Sequence, residues 1–197
     1  ILVLLLSWTA RADITVTGTV TVDDVAAPSG TPLHSSTADQ TFGPEVQIAL
    51  DVGRLEVDLG SVLTAGTLVE IDAGTVIVTG AGSQITLICD LNRLHMQGTG
   101  SEIQILSGGA IDATGGACGQ EFGCNVFLGN SVGTDATVLV DGLGSLLSTI
   151  DTLFVADGNT DFGTLGADII ASVDLSSGGT IASERVVISG GLSGSNI

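Results

Sequence analysis

Apolar and polar residues alternate along most of this chain, and glycine breaks the alternation every few residues. Ile14-Thr15-Val16-Thr17-Gly18-Thr19-Val20-Thr21-Val22 alternates throughout and predicts one strand, with its threonines on one face. From Val46 onward short runs follow one another: Val46–Leu50, Leu55–Leu59, Thr67–Ile71, Thr75–Val78, Gln84–Ile88, Arg93–Met96, Glu102–Leu106 and Ala110–Ala113. They continue as Val126–Leu128, Ala136–Val140, Leu146–Ile150, Thr152–Val155, Asp168–Leu175, Thr180–Ala182 and Arg185–Ile188. The pauses are Gly, Gly-Gly, Asp-Gly or Ala-Gly, which are turn signals. No run keeps a 3.6-residue period long enough for a helix, and glycine at each pause opposes one. Ala26–Pro44 holds all 3 prolines among Ser and Thr clusters, so it reads as a loop.

The runs are also self-similar. Val78-Thr79-Gly80-Ala81-Gly82-Ser83-Gln84-Ile85, Met96-Gln97-Gly98-Thr99-Gly100-Ser101-Glu102-Ile103 and Val140-Asp141-Gly142-Leu143-Gly144-Ser145-Leu146-Leu147 share one pattern. Gly80 and Gly98 are 18 residues apart, a distance that fits three short strands and their turns. A short strand with one apolar face cannot stand alone. Stacked in rungs about 4.8 Å apart, each strand pairs with the rungs on either side and its Val, Ile or Leu joins a continuous column. The expected fold is therefore all-β, a right-handed, single-stranded parallel β-helix of about seven rungs over residues 46–197. Residues 13–45 form an N-terminal strand and loop, a candidate cap over an otherwise open sheet edge.

Composition narrows this picture. Hydrophobic residues make up 44% of the 197 residues, aromatics only 3%, and Tyr is absent, so Val, Ile, Leu and Ala must fill the core. The net charge is −18, and the only basic residues are Arg11, Arg54, Arg93 and Arg185. Such a surface repels phosphate backbones and anionic membranes, which excludes nucleic acid as a partner. The run Ile1–Leu6 is too short to span a bilayer, and Ala10-Arg11-Ala12 has the small-x-small pattern of signal cleavage. Residues 1–12 are accordingly expected to be the remnant of a signal peptide. The stretch Gly190–Ile197 breaks off in mid-pattern, which predicts an array that continues past it. In an exported protein Cys118 and Cys124 are a candidate disulfide, while Cys89, within an apolar run, reads as a buried thiol.

Residues 125–158, NVFLGNSVGTDATVLVDGLGSLLSTIDTLFVADG, resemble the passenger repeat of bacterial autotransporters and related repeats of exported PEP-CTERM-type proteins. Phe127-Leu128-Gly129-Asn130 matches the first half of that repeat and Val140-Asp141-Gly142-Leu143-Gly144-Ser145 the second. The likeness extends over about residues 67–188 and is poor before Pro44. It implies a β-helix secreted or held at the bacterial cell surface, with a translocation barrel or sorting segment downstream. It carries over no catalytic residue.

No catalytic set stands out in the sequence. Parallel β-helices that cleave polysaccharides need clustered carboxylates beside basic groups. Here the acids are scattered over turn and outward positions, and the most enzyme-like group is Asp90, Arg93 and His95, with Glu102 one strand later. No cofactor is expected. The loop Asp157-Gly158-Asn159-Thr160-Asp161 is a candidate Ca²⁺ site, although Asp168 replaces the glutamate that would complete an EF-hand loop. His34 and His95 show no zinc spacing with the cysteines. The sequence thus points to a non-catalytic, passenger- or adhesin-type module contacting glycans or host and cell-surface proteins, with a polysaccharide lyase or hydrolase as the alternative.

Overall fold

The computed structural model describes residues 14–16, 19–22, 39–41, 47–51, 54–72, 74–88, 94–96, 98–115, 125–129, 134–155 and 170–188. Those residues form a parallel β-helix. The first rung holds β1 (Ile14–Val16), β2 (Thr19–Val22) and β3 (Asp39–Thr41), and the second β4 (Gln47–Asp51), β5 (Arg54–Val57) and β6 (Val62–Ala65). The third rung is β7 (Thr67–Asp72), β8 (Thr75–Thr79) and β9 (Gln84–Leu87), and the fourth β10 (Leu94–Met96), β11 (Thr99–Leu106) and β12 (Ala110–Ala113). The fifth is β13 (Val126–Leu128), β14 (Asp135–Asp141) and β15 (Leu146–Thr149), and the sixth β16 (Thr152–Val155), β17 (Ile170–Ser176) and β18 (Thr180–Ala182). β19 (Arg185–Ile188) opens another rung. Every third strand joins the same sheet: sheet A has 7 strands from β1 to β19, sheet B has 6 from β2 to β17, and sheet C has 6 from β3 to β18. No helix among the described residues is long and apolar enough to cross a membrane.

The core follows from side-chain parity. In each strand alternate residues face inward, and parallel register places each over its counterpart in the next rung. Leu55, Val76, Ile103 and Val138 stack inside sheet B, Leu63, Ile85, Ile111 and Leu147 inside sheet C, and Ile48, Leu68, Leu94, Val126 and Leu153 inside sheet A. All are at most 2% exposed, so the apolar columns meet in one core.

The rungs are longer than the spacing of the repeats suggests. The stacked residues Leu55, Val76, Ile103, Val138 and Val173 are separated by 21, 27, 35 and 35 positions rather than 18. From β4 onward there are five complete rungs and β19. The 18-residue echo compares different corners: Gly80–Ser83 links sheet B to sheet C, whereas Gly98–Ser101 links sheet A to sheet B. The alternation from Ile14 to Val22 likewise spans two strands, β1 in sheet A and β2 in sheet B.

The B-to-C corners vary in a regular way. Val57 and Val62 stack on Val78 and Gln84, so the second rung turns in one residue fewer than the third. The fourth rung is short again, the fifth long and the sixth short. Long corners end in a buried serine whose Oγ accepts the backbone N–H of the short corner beneath it: Gly60 N–H to Ser83 at 3.0 Å, and Gly108 N–H to Ser145 at 3.0 Å. Short corners stacked on long ones carry Gly109 and Gly179 at the serine position, because a Cβ there would run into the backbone of Val78 or Val140. The vertical repeat at this edge is thus two rungs.

Candidate functional site

The outward side chains set the three faces apart. On sheet B they are mostly polar and bonded to one another: Gln104 donates to Glu102 (2.7 Å), Ser172 to Thr137 (3.2 Å) and Arg54 to Glu56 (3.0 Å). On sheet C, Gln84 donates to Thr86 (2.8 Å) and Ser148 to Asp112 (3.2 Å), while Asp112 also takes the Thr114 hydroxyl at 2.6 Å. Two of these bonds, Ser172–Thr137 and Ser148–Asp112, bridge successive rungs, and the others join neighbours within one rung, so these outward polar groups bond to one another.

Sheet A differs. Its strands in the fourth to sixth rungs are so short that each offers one central outward residue, and those residues are His95, Phe127 and Phe154. The rings form a ladder. Phe127 and Phe154 lie 4.8 Å apart between centroids and within 6° of parallel, and His95 is 5.2 Å from Phe127 with a 34° tilt. Val187 continues the column on β19. All four residues are half-buried. An aromatic stack of this kind adds roughly 0.5–1.5 kcal/mol per ring pair beyond area burial. No fixed period in the sequence marks this ladder, yet its signal is visible once the short strands are aligned. Leu94-His95-Met96, Val126-Phe127-Leu128 and Leu153-Phe154-Val155 each place a ring between two buried apolar residues.

Of the enzyme-like group, Asp90 and Arg93 lie outside the described residues. His95 projects from sheet A and Glu102 from sheet B, so these two stand on different faces. Cys89, Cys118, Cys124, Ala10, Ala12 and Asp157–Asp161 also lie outside the described residues. Among the described residues no group of three or more His, Cys, Asp or Glu is placed to hold a metal ion.

One carboxyl is electrostatically distinct. Asp141, at the end of β14, is held below the ordinary aspartate range, first by the Ser176 hydroxyl, which donates to it at 2.6 Å, then by Ser177 and the Gly142 N–H. These donors favour the charged form, and the bond from Ser176 fastens the fifth rung to the sixth. A general acid at neutral pH needs a shift in the opposite direction.

No protein-family model, curated protein or solved structure matches this chain.

Proposed function

We propose that this chain is a non-catalytic, extracellular β-solenoid, a rigid passenger- or adhesin-type module of a bacterial surface or secreted protein that acts by binding. The observation that carries the reading is the use of the outward polar groups. Asp112–Ser148, Thr137–Ser172 and Asp141–Ser176 all join one rung to the next, which gives a stiff rod with patterned faces. The absence of lysine and the net charge of −18 suit a soluble rod outside the cell, as does the likeness of residues 125–158 to exported passenger repeats.

The test is to incubate the full chain with neutral and acidic polysaccharides and follow both retention of the protein and release of reducing ends or unsaturated uronate. Retention without product is expected. Product formation that disappears in His95→Ala or Glu102→Gln would overturn the reading in favour of a polysaccharide lyase or hydrolase.

A further inference from the structure

Surface chemistry sets sheet A apart from the other two faces, and in the fourth to sixth rungs so does the position of the longest connections. At the B-to-C edge, three or four residues join the strands in every rung from β5 to β18. Around sheet A some connections are as short as one or two residues, β6 to β7 and β10 to β11 among them, but others are long. Six residues separate β9 from β10, twelve β12 from β13, six β13 from β14 and fourteen β16 from β17. Each of these begins or ends on a strand of sheet A, in the rungs that hold His95, Phe127 and Phe154.

We infer that the outer face of sheet A, centred on Phe127 and Phe154, is the binding face, and that its ligand is an uncharged polysaccharide strand lying along the solenoid axis. This rests on the binding-module reading above and supplies its site and ligand class.

Ring geometry supports a sugar. Carbon surfaces touch at about 3.5 Å, so parallel rings with centroids 4.8 Å apart must be slipped sideways by roughly 3 Å. The slip leaves part of each ring face uncovered by its neighbour, and that part would take the C–H face of a pyranose. One ring per rung repeats at about 4.8 Å along the axis, close to the length of one sugar unit in an extended chain.

Size and charge exclude other partners. Strands of three or four residues make the face about 10 Å wide, and the column from His95 to Val187 covers four rungs. The resulting strip of roughly 150 Å² is far below the roughly 800 Å² that each partner buries in a stable protein complex. A chain with net charge −18 repels acidic polysaccharides, and the described column of His95, Phe127, Phe154 and Val187 contains no carboxylate to attract a cation.

The experiment is calorimetric titration of the full chain with neutral hexasaccharides of glucose, mannose and xylose, and with oligogalacturonate as the acidic probe. The variants are Phe127→Leu and Phe154→Leu, which stay apolar but lose the flat face, and Gln104→Ala on sheet B as the control. Urea unfolding checks that each variant is folded. At least one neutral probe is expected to bind, with affinity lowered tenfold or more by either leucine variant and unchanged by Gln104→Ala. Neutral-probe binding that both leucine variants retain overturns the choice of face and leaves the binding-module reading standing. Binding of oligogalacturonate alone, or of no probe, overturns the ligand class. Cleavage of a probe overturns the non-catalytic reading itself.

Discussion

Replacing Gly109 with alanine, beside the same change at Gly108, separates two reasons for which a solenoid corner uses glycine. Gly108 has φ +90, but a Cβ there would meet only ordinary contacts, 3.4–3.6 Å from Ala81. Its cost is conformational, about 1–2 kcal/mol for an L-residue held in left-handed backbone. Gly109 is not among the positive-φ residues, so alanine there carries no such penalty. Its Cβ would instead lie 2.7 Å from the Val78 carbonyl carbon, nearer still to the carbonyl oxygen, and 3.1 Å from Thr79 N. Carbon atoms need about 3.5 Å, so the third and fourth rungs would have to part by nearly 1 Å. The bonds flanking that point are Gly80 N–H to Leu106 O at 3.1 Å and Ala110 N–H to Ser83 O at 2.9 Å. Stretched to about 4 Å, neither would survive. Two lost bonds at about 1–1.5 kcal/mol each, with the strain of an overfilled core, give a destabilisation of about 2–4 kcal/mol.

Urea titration of both variants measures this, the midpoint reporting stability provided the slope is unchanged. Gly109→Ala is expected to be the more harmful by at least about 1 kcal/mol. If it is no more harmful than Gly108→Ala, rung separation at this corner is softer than the hydrogen-bond pattern implies and the two-rung scheme is wrong. Gly179 stands in the same relation to Val140, whose carbonyl carbon a Cβ would approach to 2.7 Å. The sixth rung, with Leu175 51% exposed, is less confined, so Gly179→Ala is expected to cost less than Gly109→Ala.

Ser145→Ala removes the acceptor of Gly108 N–H and a donor to Asp141 O at 2.6 Å, and is expected to lower urea stability by about 1–3 kcal/mol. Asp141 has a depressed pKa in the folded state, so its contribution is present above the unfolded value of about 3.9 and is lost as pH falls through the folded value. The difference in thermal midpoint between the natural chain and Asp141→Asn should therefore be present at pH 7 and shrink as pH falls below the unfolded value; a difference that does not shrink in acid would refute the assignment. A double-mutant cycle with Phe127→Ala and Phe154→Ala is expected to give a coupling of about 0.5–1.5 kcal/mol, and additivity would show that the rings stack without mutual stabilisation.

Strand parity is the most local property of this fold, and it is also what the sequence displays best. Ile103 and Ile105 turn inward while Glu102 and Gln104 turn outward, and any window containing them reveals the alternation. Corners are harder to see, because a turn that preserves parity leaves the alternation intact. That is why Ile14–Val22 reads as one strand although β1 and β2 lie in different sheets. β6 lacks contrast, since apolar Val62 takes an outward position, and β3, Asp39-Gln40-Thr41, has no apolar residue to mark it.

Which residues become vertical neighbours depends on connection lengths, and these change from rung to rung. Phe127 follows His95 by 32 positions and Phe154 follows Phe127 by 27, so no fixed period aligns the rings. What keeps register through such uneven insertions is the B-to-C corner. From the second rung onward its length alternates by a single residue, while the connections around sheet A range from one residue, between β6 and β7, to fourteen, between β16 and β17. Each rung from the second to the sixth is realigned at that edge by a serine–amide bond or by a glycine fitted against the backbone beneath. One edge of the solenoid therefore fixes vertical position and leaves the opposite face free to vary. The same division of labour explains why the core was legible from alternation and the aromatic ladder was not: the core repeats within every strand, whereas the ladder exists only after the corners have set the rungs in place.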